Sequence, residues 1–80
     1  MPADLLPLSS LTVGSKGTVA RIDLSPTDRP RLMEMGLLVG TSVELVRFAP
    51  MGDPVEIKVR GYHLTLRKSE AEQILVKVNS

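Results

Sequence analysis

Apolar and polar side chains alternate within residues 55–67, on either side of the dipeptide Gly61-Tyr62. This period of two is typical of strands that have one buried face and one solvated face. Because only two residues separate the segments, the pattern predicts a β-hairpin with a type II′ turn at Gly61-Tyr62. In that register Val59 faces Leu64, and all apolar side chains of the hairpin lie on one face.

Three further segments have the apolar content of strands, two before this hairpin and one after it. They are residues 17–24, 43–48 and 74–78. In the first segment Val19 and Ile22 are three positions apart, which breaks the alternation and indicates a β-bulge or a change of face.

A short helix of about two turns is predicted between the first two strands, on the pattern that precedes Gly36. A helix cap at Thr27 or Asp28 leaves Pro30 in the first turn, where its missing N–H costs no hydrogen bond. Gly36 then follows the helix as its left-handed terminating residue. A Ser-x-x-Glu capping box at residues 69–72 predicts one more helical turn before the last strand.

These elements predict a mainly β fold of about five strands, with one short helix after the first strand and one helical turn before the last. Many strands in so short a chain favour a small closed barrel, because closure hides the strand edges. We expect a single domain over residues 1–80, with residues 1–6 as a loose N-terminus. A chain of this size buries only about 60% of its unfolded surface, so its core is modest.

The composition argues against catalysis, metal binding and nucleotide binding. The chain has no cysteine, and its one histidine, His63, is expected to project from the solvated face of the hairpin. A Ser-His-acid triad would need that histidine in a pocket, and a dedicated metal site would need more ligands at closer spacing. No glycine run forms a phosphate-binding loop. We therefore expect no enzyme activity, no metal site and no cofactor.

Aromatic side chains are scarce: the chain has one tyrosine, one phenylalanine and no tryptophan. Single-stranded nucleic acids stack on aromatic surfaces, and proline-rich peptides dock into aromatic grooves. Tyr62 and Phe48 are too few for either, so no nucleic acid is expected as a partner. Basic side chains could still form a patch, although outward charges on strands usually serve solvation, and the net charge is only +1.

The glycine and loop positions form an ordered set of short motifs. They are Met35-Gly36-Leu37, Gly40-Thr41-x-Val43, Ala49-Pro50-Met51-Gly52-Asp53-Pro54, Gly61-Tyr62-x-Leu64-x-Leu66-Arg67 and Glu70-Ala71-x-x-Ile74. In this order and with this spacing they resemble the FeoA family, whose members are small cytoplasmic accessory proteins of bacterial ferrous iron transport. The resemblance runs from about residue 8 to residue 78.

The resemblance implies an SH3-like β-barrel with helical insertions. It also implies a partner, the cytoplasmic G-protein region of the FeoB membrane transporter, and therefore a cytoplasmic adaptor that reaches the inner membrane only through that partner. Such an adaptor would modulate the activity or the assembly of the transporter. The alternative is a regulatory or nucleic-acid-binding barrel related to the C-terminal domain of iron-dependent repressors. A weak homo-oligomer is a third option.

The expected contact is an aliphatic cleft between residues 32–38 and the loop that carries Met51. The residues predicted to bind the partner are Leu32, Met33, Leu37, Leu38, Met51, Asp53, Tyr62 and Arg47. Met51 either contacts a partner or folds back over the barrel end, whereas Met35 is expected in the core. Leu37, Leu38 and Val39 cannot all enter so small a core, so whichever faces water is the first candidate.

Overall fold

Six antiparallel strands form one sheet in the computed structural model, which describes residues 5–78. The strands are β1 (Leu5–Pro7), β2 (Lys16–Ile22), β3 (Ser42–Phe48), β4 (Val55–Val59), β5 (Tyr62–Leu66) and β6 (Ile74–Val78). The helices are α1 (Arg29–Glu34) and α2 (Lys68–Ala71), and a 3-10 turn covers Leu8–Ser10. The sheet order is β1-β6-β2-β3-β4-β5. This confirms the mainly β class, with α1 after the first predicted strand and α2 before the last.

The N-terminal strand corrects two expectations from the sequence. Leu5 and Leu6, expected in a loose terminus, lie in β1 and pair with Lys77 and Val76 of β6; residues 1–4 lie outside the described part of the chain. The expected closure is also absent there, because β1 and β5 stand at opposite ends of the order and do not pair. The strand was missed because Pro7 interrupts a segment that has no alternation of its own.

The core between the sheet and the helices is aliphatic. Its buried side chains are Leu8, Leu11, Val19, Ile22, Leu24, Leu32, Leu37, Val43, Leu45, Val55, Ile57, Val59, Leu64, Leu66, Ala71, Ile74 and Val76. Phe48 and Val78 pack against this cluster while remaining partly exposed. Burial of these branched side chains is the main favourable contribution to folding that the structure shows.

The segment that joins α1 to β3 is bonded to β2. On the side of β2 that faces β3, the backbone N–H of Val19 donates to Thr41 O (2.9 Å), and the N–H of Gly40 donates to Val19 O (2.7 Å). On the other side, the register of β2 with β6 shifts between Val19 and Arg21, which agrees with the β-bulge, one of the two expected explanations for the broken alternation. The α1–β3 link is therefore bonded to the sheet through its backbone.

Helix α1 ends in a Schellman motif. Gly36 has φ +94°, as predicted for a left-handed residue at this position. Its N–H donates to Met33 O (3.0 Å), and the N–H of Leu37 donates to Leu32 O (3.1 Å). This pair of bonds brings Leu37 back over Leu32, as is usual for the apolar contact of the motif. At the other end, Asp28 is the N-cap residue and Pro30 lies in the first turn, as expected.

The hairpin between β4 and β5 differs from the predicted register by two residues. Val59 pairs with Tyr62, not with Leu64, and the turn residues are Arg60 (φ +51°) and Gly61 (φ +89°). Positive φ at both positions defines a type I′ turn in place of the predicted II′ turn. Because the shift is even, every side chain keeps the face that the alternation predicts.

The capping carboxylate of α2 is Glu70, not the predicted Glu72. The helix begins after Arg67, whose N–H donates to Glu70 Oε1 (3.0 Å), so Ser69 lies inside the helix. Glu70 is buried, and its other oxygen accepts a hydrogen bond from the guanidinium of Arg31 on α1. This ion pair joins the two helices.

Arg60→Asn should stabilise the protein by about 1 kcal/mol, because left-handed backbone costs a residue with a long side chain more than it costs asparagine. For a chain of this length that corresponds to a rise of about 4–8 °C in Tm. Thermal unfolding followed by circular dichroism measures it. Arg60→Ala, which removes the charge but keeps the strain, is the control and should give no rise; equal gains for both variants would contradict the explanation.

Gly36→Ala should destabilise the protein by about 1–3 kcal/mol, through the positive φ and through steric contact. A Cβ at this position would lie 2.5 Å from the hydroxyl of Tyr62. Because Tyr62 is the only tyrosine and there is no tryptophan, its fluorescence reports displacement of the ring. Urea unfolding measures the stability.

The control is Gly14→Ala, since Gly14 has φ +89° but nothing within 4 Å of its added Cβ. It should lose stability through the backbone alone and leave the fluorescence of Tyr62 unchanged. A native-state spectrum for Gly36→Ala that matches the wild type would show that the tyrosine does not pack on this glycine.

Candidate functional site

Large apolar side chains are exposed around the end of α1. Met33 is 41% exposed, Met35 38%, Leu38 37% and Val39 62%. Tyr62, at the start of β5, is 43% exposed and extends the group, because its hydroxyl lies over Gly36. The five side chains, hereafter the apolar surface, are Met33, Met35, Leu38, Val39 and Tyr62.

A hydrogen-bonded turn presents the outer part of the apolar surface. The N–H of Thr41 donates to Leu38 O (3.0 Å), and Gly40 has φ +93°. A glycine with positive φ in the third position is the arrangement of a type II turn, which leaves Val39 at the apex. The buried Thr41 also donates its hydroxyl to Gly36 O (3.4 Å). Leu38 and Val39 are thus held outward by a fixed backbone, at positions where polar residues are usual.

Two of the predicted partner-binding residues belong to the core. Leu32 is 1% exposed and Leu37 is 0% exposed, because they form the apolar pair of the Schellman motif. Leu38 is the exposed neighbour, together with Val39, which was not among the predicted binding residues. Met35 was expected in the core and is instead partly exposed. The position of each side chain relative to the left-handed Gly36, rather than its hydrophobicity, decides its burial.

The loop of Met51 is attached to α2. Met51 itself is 91% exposed, so it does not fold back over the barrel end. Asp53, also predicted to bind the partner, accepts a hydrogen bond at Oδ1 from the N–H of Lys68 (3.0 Å) at the start of α2. Helix α2 in turn contacts α1 through Glu70 and Arg31. The cleft between α1 and this loop stays a prediction.

Arg47, the remaining predicted residue, lies in a polar cluster on the outer face of the sheet. Its Nε donates to Glu56 Oε1 (3.0 Å), and His63 Nδ1 donates to Glu56 Oε2 (2.6 Å). The hydrogen bond from His63, with that from Arg47, holds the pKa of Glu56 below its ordinary value despite partial desolvation. A cavity of about 130 Å³ adjoins the cluster and is lined also by Ala49 and Pro54.

A second, open cavity of about 280 Å³ lies on the same sheet beside Lys16, Lys58 and Arg60. Glu44 stands between the two lysines, since it pairs with Lys16 on β2 and with Lys58 on β4. Opposite charges therefore alternate across the strands, which stabilises a solvated face and weakens the site for a polyanion.

Within residues 5–78, no three His, Cys, Asp or Glu side chains come together as a metal-ligand group. In the same range, neither helix has the length and apolar character needed to cross a membrane.

Comparison with sequence families matches residues 6–78 to the FeoA domain family. A relative from Porphyromonas gingivalis, described as an Fe(2+) transport protein A/Fe(2+) transporter FeoB fusion protein, is 33% identical over 73 residues. The match covers 91% of this chain but only 9% of that relative. This chain therefore corresponds to a small part of the fusion protein.

Comparison with solved structures also finds FeoA proteins. The FeoA protein of Chlorobium tepidum superposes with a TM-score of 0.89 at 40% identity, over 94% of this chain and 71% of that one. Stenotrophomonas maltophilia FeoA, solved with zinc and described as a prokaryotic SH3 domain protein, has a TM-score of 0.72 at 32% identity, over 88% of this chain and 87% of that one. A manganese-dependent transcriptional repressor has a TM-score of 0.85 at 20% identity, over 94% of this chain and 42% of that one, which shows a common fold alone.

The fold is thus the SH3-like fold that the resemblance implies. The family match covers nearly all the residues that the structure describes, including the left-handed Gly36 and Gly40 that shape the apolar surface. The chain belongs to the FeoA family, which is linked to ferrous iron transport.

Proposed function

We propose that this protein is a non-enzymatic adaptor of bacterial Fe(II) uptake that binds the cytoplasmic G-protein region of a FeoB-type transporter. The observation that carries the proposal is the Porphyromonas gingivalis relative, in which a segment similar to this chain and a FeoB transporter are parts of one polypeptide. Fusion gives two modules a high effective concentration, which benefits modules that contact each other. The adaptor is then cytoplasmic and reaches the inner membrane only through its partner.

The apolar surface supports this function because it can bury apolar area against a partner and offers no catalytic site. Contact would remove Leu38, Val39 and the neighbouring methionines from water, at roughly 25 cal/mol per Å² of apolar area. Methionine adapts to the shape of a partner, and exposed charges on α1 such as Arg29 and Glu34 would set the orientation. So small a contact would be weak or transient. Weak binding suits an accessory protein that associates with its partner reversibly.

The adaptor would act by preferring one state of its partner. A bound protein shifts a conformational equilibrium only by its difference in affinity for the two states. Preference for one nucleotide state would tune nucleotide turnover, whereas preference for an assembled transporter would hold the assembly together. Comparison of the affinity across nucleotide states separates these two modes of action.

The second candidate is a regulatory or nucleic-acid-binding barrel. The lysines beside the larger cavity favour it, and the manganese-dependent repressor shares its fold. The fold likeness carries no function at 20% identity, and Glu44 lies between those lysines. Salt dependence distinguishes the candidates, because phosphate binding releases counterions and apolar contact does not.

Binding of the purified cytoplasmic domain of a FeoB-type transporter should depend on the apolar surface. We expect Leu38→Asp and Val39→Asp each to weaken binding at least about tenfold, since each would bury a charge or lose the contact. Isothermal titration with the transporter domain without nucleotide, with GDP and with a non-hydrolysable GTP analogue measures the affinity. Met51→Asp tests whether the loop belongs to the same contact.

The matched control is Val13→Asp, because Val13 lies on the turn before β2 and is 61% exposed, close to the 62% of Val39. It should bind like the wild type. Absence of wild-type binding in all nucleotide states would refute the adaptor function, and an equal loss in the control would refute the assignment of the surface. Between 50 and 200 mM salt the affinity should change by less than about twofold, whereas a nucleic-acid complex would lose orders of magnitude.

A further inference from the structure

Strand β5 has an open outer edge. In the described part of the chain it ends the sheet and pairs with β4 alone. Val59 and Tyr62 flank the two-residue turn, so they exchange both backbone hydrogen bonds, and such pairs alternate along an antiparallel ladder. Leu64 therefore bonds to β4 as well, whereas His63 and Thr65 direct their N–H and C=O groups away from it.

No hydrogen bond within residues 5–78 engages these four groups. None of the turn, loop or side-chain hydrogen bonds there involves the backbone of His63 or Thr65, and both side chains are exposed. Edge strands are usually protected by proline, lysine or shortness. At the other end of the sheet, β1 has three residues and ends at Pro7. Strand β5 has none of these protections, so its edge is available for pairing.

Charges on the outer face define what should lie beside this edge. One cross-strand row runs from Lys16 through Glu44 and Lys58 to His63. A strand added beyond β5 would place its next side chain beside His63, with Lys58 behind it. An acidic side chain there would lie near the positive charge of Lys58. Because Nδ1 of His63 already donates to Glu56, the acid would accept its hydrogen bond from Nε2 of the protonated ring.

The neighbouring positions define the rest of the segment. A second cross-strand row runs from Arg47 through Glu56 to Thr65. Beside the hydroxyl of Thr65, a threonine or serine would form a favourable cross-strand pair. Between these two positions, the side chain of the added strand lies on the same face of the sheet as Leu64, which is buried and apolar. Read antiparallel to β5, the fitting segment is therefore Thr or Ser, an apolar residue, then Asp or Glu.

We propose that the outer edge of β5 is a binding site for an extended acidic segment of a partner protein, which pairs antiparallel as a seventh strand. Pairing at His63 and Thr65 forms four backbone hydrogen bonds, and side chains give the selectivity, as in other strand-addition complexes. A second copy of this chain fits less well, because symmetric pairing about Leu64 places Thr65 opposite His63 and supplies no acid. The proposal requires neither the transporter nor the apolar surface.

The test uses the full chain, labelled with ¹⁵N, and the synthetic peptide acetyl-KVTVEVK-amide. At saturation, hydrogen exchange of the His63 and Thr65 amides should slow at least about tenfold, whereas the Tyr62 and Leu64 amides, already bonded to β4, should not change. A peptide with its Glu replaced by Lys should bind about two- to fivefold more weakly. A peptide N-methylated at Thr and Glu should give no protection against hydrogen exchange. This control alters only the peptide, so the protein is the same in both measurements.

A protein variant provides the reciprocal test. Thr65→Pro removes an outward N–H that β4 does not use, so it should stay folded and lose peptide binding; Thr65→Val should retain both. No protection with the parent peptide, or equal protection with the N-methylated one, would overturn the site. Equal affinity for the Lys peptide would overturn the acidic partner. Protection that grows with protein concentration and without peptide would assign the edge to a second copy of the chain.

Discussion

The left-handed turn at Gly36 is the constraint on which the candidate site depends. Its two hydrogen bonds, from Gly36 to Met33 and from Leu37 to Leu32, reverse the chain within one turn of the helix. The reversal directs Leu32 and Leu37 into the core, and leaves Leu38 to face water. The stability of the protein and the exposure of the apolar surface therefore arise from the same backbone geometry. A residue with a Cβ at position 36 would disturb both.

Backbone hydrogen bonds to β2 make that geometry rigid. The N–H of Val19 donates to Thr41 O, and its C=O accepts from the N–H of Gly40, both in the α1–β3 link. The link is thus held at its helix end by the Schellman motif and at its strand end by the sheet. The backbone of such a segment loses little conformational entropy on binding, which is an advantage for a small contact.

The sequence predicts which face of the sheet a side chain occupies better than it predicts the strand register or the edge strands. Alternation assigns each hairpin side chain to the correct side, but a shift of two residues preserves that assignment, so the pattern could not exclude the turn at Arg60 and Gly61. An arginine with positive φ is also contrary to ordinary turn preferences. Strand β1 exists only through pairing with β6 and has no local signal. Likewise, the exposure of Met35 and Val39 follows from where Gly36 turns the chain, which hydrophobicity alone does not report.

The two proposed contacts meet at Tyr62. This residue opens β5, where it bonds to Val59, and the hydroxyl end of its ring lies over Gly36, beside the rest of the apolar surface. A strand added at His63 would restrict the backbone directly beside that ring, and a protein bound on the apolar surface would restrict the ring itself. Ordering that one partner has already imposed is not imposed again on binding of the second. Occupation of the edge and of the apolar surface would therefore be coupled, and by linkage each partner would change the affinity of the other by the same factor.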